Sequence, residues 1–256
     1  MSWILAVETS TEWCSVALGR VTPAPDVPDL FRHERTGPRS SSRLLPAAGE
    51  LLAQAGIALS DCAAIAFGAG PGSFTGLRTA CGVAQGLAFG AGLPVIPVNS
   101  LLACAERARS LHPQAAVRQR PAQVLVALDA RMDEVYTGLF QWDDIGAEWQ
   151  AQGPMAVMPP EAVSTPGQPF WLAGNGADVH GERLAPVASA DRLVTDAMPH
   201  AGAVLALARR ALARGDTVDP ADAAPLYLRD KVAQTVAERQ AAAASRASLA
   251  AAGEHR

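Results

Sequence analysis

The sequence predicts an α/β protein made of two lobes of similar topology, a duplicated fold. Each half of the chain opens with the same pattern: an apolar strand, a short polar turn and a second apolar strand. In the first half the strands are residues 3–7 and 14–18, and in the second they are the segments VLVALDA and VYTGLFQW, separated by RMDE. The intervening segment HPQAAVRQRPAQ is typical of a linker between two lobes.

The remaining elements of the first half follow in order. Residues 21–43 are rich in Pro, Arg and Ser, which predicts a surface loop or a short edge strand. The segment RLLPAAGELLAQAGI has helical spacing, and residues 59–67 read as a buried strand. A glycine-rich loop, GAGPGSFTGLRTACG, then opens a helix that ends near Phe89. The strand LPVIPV and a helix from Ser100, the predicted N-cap, to Ser110 complete this half.

The second half adds a strand that runs into a glycine turn, FWLAGNGA, and the helix AGAVLALARRALARG. Beyond these elements the chain becomes Ala-rich and polar, which predicts a frayed helix or a disordered tail. The predicted boundaries are therefore an N-terminal lobe at 1–112, a C-terminal lobe at 123–235 and a tail at 236–256.

Composition indicates a cytoplasmic protein. The net charge of −4 over 256 residues gives no general electrostatic reason to bind nucleic acid. The four cysteines form no CxxC pair, so we expect reduced thiols, and no basic segment typical of a secretion signal precedes the first strand. The uncharged stretch between Arg78 and Glu106 is long enough to span a membrane, but its glycines and prolines favour a buried helix followed by a strand.

The glycine-rich loop does not match a known phosphate-binding motif. Its glycines are Gly68, Gly70, Gly72 and Gly76, and no lysine follows, so both the spacing and the cation of a Walker A loop are missing. The Rossmann pattern fails as well. We therefore favour a tight turn in which Ser73 caps the helix, while an anion at the free N–H groups of the helix remains the alternative.

The helix after this loop carries a stripe of small residues. Gly82, Gly86 and Gly90 recur every four residues, and each glycine inside a helix costs about 1 kcal/mol relative to alanine. The stripe is explained by another backbone that approaches closely. That backbone belongs either to the protein's own sheet or helices or to a second subunit.

The polar turns of the two hairpins are candidate phosphate contacts. They read ETS and DAR, and neither has the glycine that would let a phosphate approach the backbone. These turns support only weak or vestigial nucleotide binding. Together with the two glycine turns they give these candidate contacts: Thr9, Ser10, Gly72, Ser73, Asp129, Arg131, Gly174 and Gly176.

Five segments, in order along nearly the whole chain outside the tail, resemble one family: ILAVETSTEWCSVAL, GPGSFTGLR, GLPVIPVNSLLACAE, LDARMDEVYTGLF and YLRDKVAQT. The family is TsaB, also called YeaZ, which acts in tRNA threonylcarbamoyladenosine biosynthesis. The resemblance implies a two-lobed actin-like ATPase fold (ASKHA, ribonuclease H-like). It also implies a role in placing the threonylcarbamoyl group on the adenosine beside the anticodon of tRNAs that read codons beginning with adenine.

The resemblance further implies a non-catalytic subunit. Such proteins pair with the TsaD transferase and the TsaE ATPase or form homodimers, and they reach tRNA through the complex. For the partner interface the resemblance, together with the glycine stripe, points to one set of residues: Phe74, Thr75, Leu77, Arg78, Gly82, Gly86 and Gly90.

Where TsaD-like proteins have two metal-binding histidines, this sequence has Ser100 and Cys104. We therefore expect no catalytic residue, no metal and no cofactor of its own beyond weak ATP or ADP at the lobe cleft or the subunit boundary. The alternative is an independent enzyme of this fold, an ATPase, a kinase or a peptidase.

Overall fold

A computed structural model describes residues 2–111 and 123–229, so the predicted linker and tail lie outside the described residues. The first half forms a five-stranded sheet in the order β3-β2-β1-β4-β5. Its strands are β1 (Trp3–Glu8), β2 (Trp13–Arg20), β3 (Leu30–Arg35), β4 (Cys62–Gly70) and β5 (Val95–Asn99). Strand β3 lies at the edge of the sheet, as one of the two predicted alternatives had it, and its burial alternates along the chain.

Three helices belong to this half: α1 (Ser40–Ala55), α2 (Phe74–Ala91) and α3 (Ser100–Ser110). The uncharged stretch of the sequence thus folds as a helix, a strand and a second helix. The N-cap of α3 corrects the prediction, because the side chain of Asn99 accepts the N–H of Leu102 at 2.9 Å. Ser100 lies inside the helix, and its hydroxyl binds elsewhere. In the part of the chain that the structure describes, no helix is long and apolar enough to cross a membrane.

The second half repeats the first sheet. Its strands are β6 (Gln123–Asp129), β7 (Val135–Asp143), β8 (Glu148–Ala151), β9 (Ala156–Met158), β10 (Phe170–Ala173) and β11 (Arg192–Val194). They run in the order β11-β10-β6-β7-β8, with β9 added to β7. In each sheet the first hairpin is antiparallel and two later strands run parallel to its first strand. This shared order and direction confirm the predicted duplication.

Two helices complete the described chain, α4 (Gly176–His180) and α5 (Ala201–Arg214). Although α5 follows the second sheet in sequence, it packs against strands β1, β2, β4 and β5 of the first. The segment after α5 stays there, since Val218 and Val95 exchange two backbone hydrogen bonds of 2.8 and 2.9 Å.

The core connects the two lobes. Strand β1 is buried on both faces: Leu5 and Val7 pack in a cluster with residues of α1 and α2, whereas Ile4 and Ala6 belong to a second cluster. The second cluster also contains residues of α3 and α5 and, from the second sheet, Val124. This second cluster, which contains residues of both sheets, therefore positions the hairpin turns of the two lobes relative to each other.

Candidate functional site

A cavity of about 630 Å³ lies where the two lobes meet. It is lined by the turns of both hairpins, by the start of α2 and by the last described residues of the chain. Six predicted phosphate contacts line it: Thr9, Ser10, Gly72, Ser73, Asp129 and Arg131. Gly174 and Gly176 do not, although Asn175 between them does. The fold therefore brings most of the predicted set to one place.

The glycine-rich loop is filled by the protein's own first hairpin turn. The N–H of Ser73 donates to the carbonyl of Ser10 at 2.7 Å, and the hydroxyl of Thr9 donates to the carbonyl of Gly76 at 2.7 Å. A Cβ on Gly72 would lie 2.6 Å from Cβ of Ser10, and one on Gly76 would overlap the carbonyl oxygen of Thr9. The glycines therefore make room for the polypeptide of the first hairpin turn.

The start of α2 is capped as predicted. Ser73 is the N-cap residue, and its hydroxyl accepts the N–H of Gly76 at 3.5 Å. This bond uses one of the free N–H groups on which anion binding at a helix N-terminus depends. The tight, capped turn is thus confirmed.

Glu8, at the end of β1, is sealed beneath the same loop with 1% of its surface exposed. Its carboxylate accepts the N–H of Ser10 and, at 3.3 Å, the hydroxyl of Ser100. Burial raises the pKa of Glu8, and the hydrogen bonds from Ser10 and Ser100 oppose that rise in part. The sequence pointed to an acidic group in this turn but gave no signal that the group would be buried.

The positions that correspond to the histidines of TsaD-like proteins lie in the same corner. Ser100 accepts the N–H of Gly70 at 3.2 Å while it donates to Glu8, and this explains why it does not cap α3. Cys104, one turn later, is fully buried and donates to the carbonyl of Ala197 at 2.5 Å. Burial raises the pKa of the Cys104 thiol, which disfavours the thiolate that binds metals. Within residues 2–111 and 123–229, no group of three or more His, Cys, Asp or Glu side chains is placed to hold a metal ion.

The second hairpin turn has an unusual backbone. Arg131, Met132 and Asp133 have φ angles of 62°, 55° and 64°, three consecutive left-handed residues that are not glycine. Each costs of order 1–3 kcal/mol and persists only when the surrounding structure enforces it. Asp129 enforces the first by accepting the N–H of Arg131 at 3.0 Å, and Arg183 holds Asp133 with two bonds of 2.7 and 2.9 Å. The side chain of Arg131 is 81% exposed, 3.7 Å from Asp129.

The glycine turn of the second lobe supports that hairpin. Asn175 accepts the N–H of Asp129 at 2.9 Å. A Cβ on Gly174 or Gly176 would lie 2.6 or 2.7 Å from the carbonyl oxygen of Ala127. These glycines therefore let the turn pack directly against β6, and Asn175 is the residue that reaches the cavity.

Residues 226–229, which we call the strap, cross from one lobe to the other along the cavity. The N–H of Leu226 donates to the carbonyl of Ala69 in the first lobe at 2.6 Å. Arg229 forms an ion pair with Glu134 in the second lobe. In the sequence this segment stands out only through the family resemblance, because a stretch without secondary structure carries no periodic signal.

The glycine stripe of α2 faces outward. A Cβ on Gly82, Gly86 or Gly90 would have no atom of the described chain within 4 Å, so the protein's own sheet is not the close neighbour. Phe89 beside them is 81% exposed, whereas Leu77 is 1% exposed and packs inside near Gly70. We call the exposed side of the two adjacent helices the docking face: Leu45 and Gly49 of α1 with Thr75, Arg78, Gly82, Gly86, Phe89 and Gly90 of α2.

Comparison with known proteins gives a consistent result. Residues 34–237 match the family described as TsaD, tRNA N6-adenosine threonylcarbamoyltransferase. The tRNA threonylcarbamoyladenosine biosynthesis protein TsaB of Escherichia coli K12 is 38% identical, over 90% of this chain and 96% of that protein. TsaB of Haemophilus influenzae is 34% identical, over 90% of this chain and 94% of that protein. The solved structure of YeaZ from Pseudomonas aeruginosa is 42% identical with a TM-score of 0.78, over 89% of this chain and all of that one.

Proposed function

This chain belongs to the TsaB (YeaZ) family, and on that premise we propose that it is the catalytically silent partner of a TsaD-type transferase. The role in tRNA threonylcarbamoyladenosine formation comes with the family. The product is the threonylcarbamoyl group on the adenosine beside the anticodon of tRNAs that read codons beginning with adenine. The similarities do not favour the alternative of an independent ATPase, kinase or peptidase.

The observation that carries catalytic silence is the closed glycine loop. Thr9 and Ser10 occupy the space in which a phosphate would meet the backbone of that loop. The corner of Ser100 and Cys104 offers a hydroxyl that is already engaged and a buried thiol. We propose that any ATP or ADP binds weakly, in the cavity beside the hairpin turns or at the subunit boundary.

The docking face supports the role of a partner subunit. Glycines on the exposed side of a helix lower its stability, and close packing of another helix against them explains why they are there. We propose that the TsaD-type subunit packs here, that a second copy of this chain takes its place when the chain is alone, and that a TsaE-type ATPase and tRNA join through the complex. These steps take place in the cytoplasm.

Reconstitution tests the proposal. Threonylcarbamoyl transfer to tRNA is measured with this chain alone, with the TsaD-type subunit, and with that subunit and the TsaE-type ATPase. We expect transfer only in the mixtures and no stoichiometric zinc or iron in this chain on elemental analysis. Transfer or steady ATP hydrolysis by this chain alone would contradict catalytic silence.

A matched pair of variants tests the docking face. Gly86→Leu places a large side chain in the middle of the face, whereas Gly167→Leu places the same side chain at a position of the second lobe that is equally free of neighbours. We expect Gly86→Leu to abolish binding of the TsaD-type subunit and Gly167→Leu to leave it unchanged. Wild-type affinity of Gly86→Leu would place the interface elsewhere.

A further inference from the structure

We infer that the docking surface for the TsaD-type subunit continues from α2 onto the strap, so that docking on the first lobe also fixes the hairpin turn of the second. This inference rests on the proposed function and deepens it. It gives the strap a role in assembly.

The strap contributes to a compact cluster at the first turn of α2. The guanidinium of Arg78 lies 3.6 Å from the ring centre of Phe74 and donates to the hydroxyl of Tyr227 at 3.1 Å. The two rings are 5.7 Å apart, and they are 40% and 42% exposed. Arg78 belongs to both this cluster and the docking face, so the two surfaces are continuous.

Large apolar side chains are concentrated at this place. Four of them are at least 36% exposed and line the rim of one cavity: Phe74, Met132, Leu226 and Tyr227. Single exposed apolar residues are ordinary, but a contiguous patch indicates a surface that is covered in a complex. Aromatic and arginine side chains are also the types that most often carry binding energy in protein interfaces.

The molecule that fits this patch is the TsaD-type subunit that packs on α2, rather than a separate molecule. A subunit seated on the docking face reaches the end of α2 without a gap, because Arg78 is shared. The chemistry required of it is an apolar side chain against Phe74 and Tyr227 and a carboxylate or carbonyl oxygen facing Arg78. The match of residues 34–237 to the TsaD family includes both α2 and the strap, so the partner has this same domain.

The strap is anchored in both lobes, so a partner that holds its middle also acts on the second lobe. Gly70, with φ of 117°, leaves room for the carbonyl oxygen of Leu226, which a Cβ would approach to 2.5 Å. Arg229 has a side chain only 15% exposed, paired with Glu134 and near the carbonyl of Arg131 at 3.5 Å. Two residues of extended chain span about 7 Å, so a partner that holds Tyr227 also restrains Arg229.

Two measurements test the inference on the full chain with the TsaD-type subunit. The first is the affinity of Tyr227→Ala, of Tyr227→Phe and of the control Ile145→Ser, a 99% exposed residue in the turn between β7 and β8. The second is hydrogen exchange of residues 131–134 with and without the partner, in the wild type and in Tyr227→Ala. Thermal unfolding of each variant shows that it is folded. Phe89→Asp, an exposed residue of the docking face, tests that part of the proposed function in the same assay.

We expect Tyr227→Ala to bind about tenfold more weakly, Tyr227→Phe to lose less, and Ile145→Ser to match the wild type. The partner should slow exchange at 131–134 in the wild type and not in Tyr227→Ala. If Phe89→Asp abolishes binding while Tyr227→Ala binds and protects like the wild type, the inference is overturned and the proposed function stands. If Phe89→Asp binds normally, the docking face is not the interface, and both that part of the proposed function and the inference that extends it are overturned.

Discussion

Gly76→Ala should destabilise the protein strongly although the position is helical. A Cβ here would overlap the carbonyl oxygen of Thr9, so the hairpin turn has to move away from α2. The expected cost is about 1–3 kcal/mol for overpacking. Displacement of the turn also breaks the bonds from Thr9 to Gly76 and from Ser73 to Ser10, each of about 1 kcal/mol. The higher helix propensity of alanine offsets about 1 kcal/mol of this cost, which leaves a net loss of roughly 3 kcal/mol in the free energy of unfolding.

The matched control is Gly86→Ala in the same helix, where a Cβ meets no atom within 4 Å. Thermal unfolding followed by circular dichroism, at two protein concentrations so that dimerisation is recognised, compares the two variants. A loss of about 3 kcal/mol corresponds to a midpoint lower by roughly 6–12 °C, while Gly86→Ala should gain up to about 4 °C. Equal midpoints for the two variants would refute the conclusion that the hairpin turn fills the glycine loop.

Three further predictions concern titratable groups. Burial, then Arg107 and His33, lower the pKa of His200 to about 3, so His200 contributes stability above pH 6.5 that is lost as the pH falls. His200→Asn keeps an acceptor that can cap α5. Between pH 7.5 and 5.0 the wild type should lose about 2 kcal/mol of its free energy of unfolding through His200, and the variant should not. Urea unfolding at both pH values measures this loss, and a pH dependence unchanged in the variant would count against the prediction. Because burial raises the pKa of Glu8, the ionised carboxylate destabilises the fold once the pH rises above 4.5, the pKa of the unfolded chain. Glu8→Gln should therefore unfold at a higher temperature than the wild type at pH 8, and the difference should be gone near pH 4. Burial raises the pKa of every cysteine, to about 11 for Cys14 and Cys62. The native protein at pH 7.5 should therefore resist iodoacetamide, as followed by mass spectrometry. Labelling of the folded protein at the rate of a free thiol would disprove this.

Local patterns in the sequence predicted the elements well. Both hairpins, the edge strand and helices α1, α2, α3 and α5 lie where alternation, helical spacing and Pro and Gly indicated, and the repeated opening predicted the duplication. The short elements β8, β9, β11 and α4 were not predicted. The N-cap of α3 was misplaced by one residue, because Asn and Ser cap helices about equally well. Only the distant partners of Ser100, Gly70 and Glu8, decide between them.

The site depended on contacts that leave no local trace. Thr9 and Gly76 are 67 residues apart in sequence, and Arg78 and Tyr227 are 149 apart. A glycine that makes room for a phosphate and one that makes room for a peptide look the same in a motif, because both remove a Cβ. Likewise, the stripe of α2 predicted close packing but could not say whether the neighbour belonged to the same chain.

The position of α5 has a consequence for how the protein is made. The face of the first sheet that carries Ile4 and Ala6 is covered by a helix that begins at residue 201. A nascent chain that has emerged as far as α3 therefore has all five strands of that sheet and still exposes to water the part of this face that α5 covers. The first lobe completes its folding only after most of the second has been synthesised. A fragment that ends at residue 111 should accordingly be prone to aggregation, and the two lobes are best regarded as one cooperative folding unit.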